Sequence, residues 1–172
     1  MGARLARQKL FSSIDANNLE DVRIVLSKYP NLVNEFFDNK SVSFPLLRAA
    51  WKGQKDMIQL LVEKGADPLK KNAGGTDVLL LSAARGHSMV VEQVLGMGVP
   101  IDSIDNKGLS ALDHAIIRGY YNTGLLLVSL VSLQGTPMQE RRVLQKCGAA
   151  VCRSHHQLRM DDQQSRVGKL VH

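Results

Sequence analysis

The 172-residue sequence is poor in the residues that stabilise small secreted domains. It has only two cysteines, Cys147 and Cys152, and both lie near the C-terminus, where they cannot brace the rest of the chain. A disulfide framework is therefore excluded, and we expect a reducing compartment, the cytoplasm or the nucleus. Aromatic residues make up 5% and charged residues 22% of the chain. This composition is typical of a globular protein and excludes collagen-like and acidic disordered chains.

Long hydrophobic runs are also missing. The most apolar stretch, residues 124–133, has about half the length that a membrane-spanning helix needs. The basic residues near the start are not followed by the apolar run of a signal peptide. We therefore expect a soluble protein without a transmembrane segment.

Motifs for catalysis are absent from the sequence. There is no phosphate-binding glycine loop, no nucleophile elbow and no pair of carboxylates at a plausible active site. Near the C-terminus, Cys147, Cys152, His155 and His156 are residue types that bind zinc. Their spacing does not match the common zinc fingers, because the two histidines are adjacent. We predict a protein that is not an enzyme and that binds no metal and no cofactor.

The positive charge is concentrated at the C-terminal end. The formal net charge is +6, and residues 134–172 carry seven Lys and Arg against three Asp and Glu. A Gly and a Pro in residues 134–137 break any helix, and no sustained apolar period follows. We predict a basic tail of low order over residues 132–172.

A 33-residue period organises the rest of the chain. Small and apolar residues before and after one set of glycines have helical spacing, so each period predicts a pair of short helices. The glycines form three sets: Gly53, Gly86 and Gly119; Gly65 and Gly98; and Gly75 and Gly108. The first set falls between the paired helices, the second just past the second helix of a pair, and the third in a loop turn. Left-handed backbone is common at all three places.

These segments resemble the ankyrin repeat family. The resemblance is carried by residues 44–53, 63–68, 82–87, 105–108 and 110–115, and it covers about residues 8–131. It implies an all-α solenoid of stacked helix-turn-helix units with projecting loops, followed by a mostly unstructured tail. We predict an N-terminal extension at 1–7, an ankyrin repeat domain at 8–131 and the tail at 132–172. The predicted repeats are about 8–38, 39–71, 72–104 and 105–131; the first is degenerate, with Asn17 aligned to Gly53 at a spacing of 36 residues.

The sequence departs from the family pattern at the helix starts. The family's Thr-Pro-Leu-His motif survives only in fragments at residues 44–47, 77–80 and 110–113, and its histidine is missing from all three. That histidine normally ties neighbouring loops, so we expect weaker coupling between repeats. Asp77 and Ser110 are still predicted to cap their helices.

The last predicted helix is apolar over residues 125–133, although a terminal repeat needs a polar outer face. Three explanations are open: the tail folds back over this edge, a partner covers it, or the chain is a shortened version of a longer array. We favour the shortened array, because the composition of the tail suits no capping helix.

The resemblance implies binding of a protein through a concave face, formed by loop tips and by the two residues before each inter-helix glycine. One period separates Lys52, Arg85 and Arg118, so stacking places three cations in one column, with an aromatic anchor beside it. Charge steers encounter with acidic partners, and a buried aromatic supplies affinity. We predict a monomer that binds an acidic segment of a protein partner. The predicted partner-binding residues are Trp51, Lys52, Lys71, Arg85, Lys107 and Arg118.

Two other interpretations compete with this one. In the first, the charges only keep the surface solvated and the ligand binds elsewhere. In the second, the chain is a regulatory or targeting fragment of a longer ankyrin array, and its basic tail engages anionic surfaces such as nucleic acid or lipid. The repeats themselves lack an RNA-stacking platform and a DNA-reading helix, and residues 1–133 carry an excess of only two positive charges. We therefore do not expect nucleic acid as the partner.

Overall fold

The computed structural model describes residues 2–36 and 44–133. In these ranges the chain forms short α-helices, one 3-10 helix at Pro30–Asn34 and an isolated antiparallel bridge between Ile104 and Ser110. The predicted all-α class is confirmed. The helices are α1 (Gly2–Asp15), α2 (Leu19–Lys28), α3 (Pro45–Lys52), α4 (Lys55–Glu63), α5 (Val78–Ala83), α6 (Ser88–Gly96), α7 (Ala111–Ile117) and α8 (Tyr121–Leu133).

The helix pairs stack in chain order. The first helices of the pairs pack in the series α1, α3, α5 and α7, and the second helices in the series α2, α4 and α6. Residues 2–7, predicted as an extension, lie within α1. Residues up to Leu127 form one compact unit, and its boundary lies inside α8. The predicted tail beyond residue 133 lies outside the described residues, and the predicted repeat boundaries stay a prediction.

Small side chains line the contacts between the first helices of neighbouring pairs. Ala49, Ala50, Ser82, Ala83 and Ala115 have no exposed surface, so the helices approach closely there. Larger apolar side chains fill the space between the two helix layers. Those that are almost completely buried are Leu10, Ile14, Leu47, Met57, Ile58, Leu60, Leu61, Leu79, Leu80 and Leu127.

The turn chemistry agrees with the predicted register. All seven glycines of the 33-residue sets have a positive φ, between 71° and 90°. Asn17 has a φ of 55° and is the one positive-φ residue other than glycine among the described residues. It therefore takes the place of the inter-helix glycine in the first helix pair. The predicted left-handed turns are confirmed.

The helix starts show what replaces the missing histidines. Leu47 and Leu80 occupy the motif's histidine position in their repeats, and both are buried. Asp77 accepts a hydrogen bond from the Leu80 N–H, and Ser110 forms a capping box with Asp113, so both predicted caps are confirmed.

Asparagine side chains join neighbouring loops in place of the motif histidine. The Nδ2 of Asn34 donates to the carbonyl of Gly65 at 2.7 Å, and that of Asn106 donates to the carbonyl of Ala73 at 3.0 Å. These bonds link the loop after the first helix pair to the loop after the second, and the loop after the third helix pair back to that same second loop. The expected weakness of coupling between repeats stays a prediction.

Gly75 and Gly108 form a matched pair for testing how tightly the loops stack. Both have a φ of +74°, but a Cβ on Gly75 would lie 2.8 Å from the backbone nitrogen of Asn106, whereas a Cβ on Gly108 would have no neighbour within 4 Å. We expect Gly108→Ala to cost about 1 kcal/mol of unfolding free energy from backbone strain. Gly75→Ala should cost about 1–3 kcal/mol more, because a backbone contact cannot be relieved by a rotamer change. Urea unfolding of both variants measures the difference, and equal losses would contradict close loop stacking.

Candidate functional site

Trp51 and Arg85 contact each other across the second and third helix pairs. Trp51 lies in the last turn of α3, and Arg85 follows the end of α5. The guanidinium carbon of Arg85 lies 4.1 Å from the ring centroid of Trp51, a cation–π contact. Both residues are half-buried. The Nε of Arg85 is buried and forms no hydrogen bond within the described part of the chain.

Lys52 is held by an ion pair inside the molecule. Its Nζ lies 3.3 Å from Oδ1 of Asp15 and donates to the Asp15 carbonyl at 3.1 Å. Arg48 also donates two hydrogen bonds of 2.8 Å to the same carboxylate. The hydrogen bond from Arg48 lowers the pKa of Asp15, burial acts in the opposite direction, and Lys52 lowers the pKa further. Lys52 is therefore held by contacts within the fold, and it shares the single negative charge of Asp15 with Arg48.

Lys71 also makes a contact between repeats. Its Nζ donates to the carbonyl of Ile104 at 2.9 Å and lies 3.9 Å from Oδ2 of Asp77. Asp77 is 2% exposed and also accepts a hydrogen bond from the Ser103 hydroxyl. Lys71 therefore joins two neighbouring loops.

Lys107 and Arg118 differ from the other predicted cations. Both are exposed, and neither side chain forms a hydrogen bond or ion pair with residues 2–36 or 44–133. Lys107 lies in the turn before α7, and Arg118 is the residue at the C-terminal end of that helix. The neighbouring Ile117 is 68% exposed. This end of the surface therefore offers two cations and an apolar side chain to solvent.

Asp105 fixes the turn that carries Lys107. Its Oδ1 accepts hydrogen bonds from the N–H groups of Lys107, at 2.8 Å, and Leu109, at 2.9 Å. Its Oδ2 lies 3.0 Å from Nε2 of His114. Burial raises the pKa of Asp105, but the backbone hydrogen bonds and His114 outweigh it, so the pKa lies below the ordinary 3.8. The turn is therefore held by an ionised carboxylate.

Sequence reasoning did not find Asp15 or Asp105 as parts of this surface. The signal for Asp15 was present, because it lies two residues before Asn17, as Trp51 lies two residues before Gly53. Asp15 is thus the first-repeat equivalent of Trp51. Asp15 contacts Lys52 of the following repeat, just as Trp51 contacts Arg85 of the following repeat.

Comparison with known proteins agrees with this architecture. A model of ankyrin repeats in three copies matches residues 46–134, and the chain belongs to the ankyrin repeat family. The predicted solenoid of helix-turn-helix units is thereby confirmed. Ankyrin repeats are generally protein-interaction modules.

Several curated proteins are similar to the chain over most of its length. Ankyrin repeat and SAM domain-containing protein 6 of Rattus norvegicus is 29% identical over 130 residues, which are 74% of this chain and 14% of that protein. The probable E3 ubiquitin-protein ligase XBOS33 of Oryza sativa subsp. japonica is 30% identical over 75% of this chain and 25% of its own length. Glycerophosphocholine phosphodiesterase gde1 of Schizosaccharomyces pombe is 28% identical over 64% of this chain and 10% of its own. The chain thus spans a quarter or less of these relatives.

Two further observations concern membranes and metals. None of the helices in the described ranges is both long enough and apolar enough to cross a membrane. The described residues contain no group of three or more His, Cys, Asp or Glu side chains that could hold a metal ion. The Cys and His residues at positions 147, 152, 155 and 156 lie outside the described residues.

The hydrogen bonds of Asp105 predict a pH-dependent contribution to stability. Because its pKa is lower in the folded state than the usual 3.8, its contribution is present above that value and is lost as pH falls through the folded pKa. Asp105→Asn should cost about 1 kcal/mol of unfolding free energy at neutral pH. The difference between variant and wild type should shrink as pH falls below about 4. Urea titrations at several pH values measure it; a constant difference would show that the charge of Asp105 does not matter.

Proposed function

We propose that the chain is a non-catalytic adaptor that binds an acidic segment of a partner protein through the inner face of its ankyrin stack. The observation that carries this proposal is the contact between Arg85 and Trp51, which places a half-buried aromatic and a cation together in the predicted column. We also propose that the chain acts as a monomer, without a cofactor, in the cytoplasm or nucleus.

Physical chemistry supports an anionic ligand at this contact. The indole ring covers one face of the guanidinium and restricts its motion, so less conformational entropy is lost when a ligand binds. A guanidinium presents its N–H donors in one plane, which matches the two oxygens of a carboxylate. Arg and Trp are also the residues most often found to dominate binding energy at protein interfaces.

A second candidate function rests on the charge of residues 134–172. Seven Lys and Arg against three Asp and Glu would favour an anionic surface such as nucleic acid or lipid. In this alternative the chain is a regulatory or targeting fragment of a longer array, and the repeats act as a spacer.

The two functions are separated by affinity capture of partners followed by mass spectrometry and quantitative pull-down. Three proteins are compared: the full chain, a chain lacking residues 134–172, and the double variant Arg85→Glu, Arg118→Glu. For an inner-face adaptor, we expect the double variant to lose most capture of its partner, since each carboxylate now meets a like charge. The truncated chain should keep it.

Lys55→Glu with Lys64→Glu is the charge-matched control, because both residues are exposed and lie outside the predicted column. Circular dichroism confirms that each variant is folded. Loss of capture on truncation, together with full capture by Arg85→Glu, Arg118→Glu, would reject the adaptor function and favour the second candidate.

A further inference from the structure

The cations of the column are compensated to different extents along the stack. Each inter-helix turn has one left-handed residue. The cation of the following repeat lies beside the residue two positions before that left-handed residue. For Lys52 that residue is Asp15, which forms an ion pair with it. For Arg85 it is Trp51, which offers only its ring.

The same register places Arg118 beside Ala84. An alanine offers neither a charge nor a ring, and Ala84 is 4% exposed. Arg118 accordingly forms no side-chain hydrogen bond or ion pair with the described residues. Compensation therefore decreases from the second repeat to the fourth.

We propose that the acidic partner binds to the C-terminal half of the inner face, where its carboxylates pair with Arg85, Lys107 and Arg118. This inference rests on the proposed function and specifies where on the inner face the ligand lies. Lys52 and Lys71 take no part, since Asp15 and the Ile104 carbonyl already hold their ammonium groups. A ligand carboxylate there would compete with contacts that hold the repeats together.

The geometry of the fourth repeat also restricts the ligand. Arg118 directly follows α7 and Lys107 lies four residues before it; the seven residues of the helix span about 10 Å. An extended peptide covers that distance in about three residues. Ile117, next to Arg118 in the chain, is 68% exposed and gains from burial against an apolar side chain. The favoured ligand is a peptide segment with carboxylates about three residues apart and an apolar residue next to the carboxylate that pairs with Arg118.

A synthetic peptide with this pattern, built from Glu and Leu, serves as the probe. Its counterpart with Gln in place of every Glu is the neutral control. Fluorescence anisotropy of the labelled peptides measures affinity for the full chain and for three double variants, each of which removes two positive charges. The variants are Lys107→Gln with Arg118→Gln, Lys52→Gln with Lys71→Gln, and Lys55→Gln with Lys64→Gln.

We expect the Glu peptide to bind the wild type more tightly than the Gln peptide, and Lys107→Gln with Arg118→Gln to weaken binding about tenfold. The other two double variants should change affinity by at most about twofold, the effect of a general loss of charge. Equal weakening by Lys52→Gln with Lys71→Gln would overturn the assignment to the C-terminal half while leaving the inner-face adaptor intact. No preference for the Glu peptide, or no effect of either inner-face pair, would overturn both.

The single tryptophan of the chain gives a second readout. Since Arg85 lies on the ring of Trp51, pairing of this guanidinium with a ligand should change the fluorescence emission of Trp51. Arg85→Gln should abolish that change and weaken binding, whereas Arg85→Lys should restore only part of the affinity, because an ammonium lacks the planar donors. An emission change that persists in Arg85→Gln would contradict a role for Arg85.

Discussion

The stack depends on the space left by the missing side chains at Gly53 and Gly86, where the second and third helix pairs reverse direction. At Gly53 this space is filled by the ring of His87 from the next repeat, whose atoms lie within 2.9 Å of the position that a Cβ would occupy. Tyr120 fills the corresponding space at Gly86. Each of these two glycines thus has two structural roles: it adopts a positive φ, and its missing side chain leaves room for the ring of the neighbouring repeat. His87 further makes a 3.1 Å hydrogen bond with the Trp51 carbonyl, so it also fixes the end of the helix that carries the aromatic anchor.

Much of this arrangement could be predicted from the sequence, because a fixed period translates directly into a fixed stacking register. The glycine turns follow from it, and the caps at Asp77 and Ser110 follow from the residue types at the helix starts. The cation column is a prediction from the same register. What the period does not reveal is which side chain compensates each cation. Lys52 in the second repeat contacts Asp15 in the degenerate first repeat, and the spacing between Asn17 and Gly53 in these repeats is 36 residues instead of 33. The stacking of Arg85 on Trp51 depends on side-chain conformation, which repeat patterns do not encode.

The cations of the column divide between stability and recognition. An ion pair that is one-third exposed, such as Lys52 with Asp15, contributes up to about 1 kcal/mol, and a cation–π contact contributes a similar amount. The ion pair would have to be weakened for the charge of Lys52 to serve a ligand fully, whereas stacking on Trp51 occupies only one face of the Arg85 guanidinium. For Arg118 this cost is absent, because the alanine at position 84 offers neither a charge nor an aromatic ring. The proposed difference in binding between the two halves of the face therefore follows from the residue that precedes each turn, although the cations themselves are spaced evenly.

In the fourth repeat, polar contacts fix the backbone on both sides of α7, and a ligand need not replace these contacts. Asp105 uses one oxygen for two backbone N–H groups and the other for His114, so the turn before α7 is closed on itself. The capping box of Ser110 and Asp113 then fixes the first turn of the helix. Because backbone positions on both sides of α7 are already ordered, binding there loses mainly the side-chain freedom of Lys107 and Arg118. Ordering such a side chain costs about 0.5–1.5 kcal/mol, so each new charge contact must exceed that amount to raise affinity. A carboxylate that binds beside the exposed Ile117 can meet this requirement, since excluding water from the apolar side chain also strengthens the adjoining ion pair.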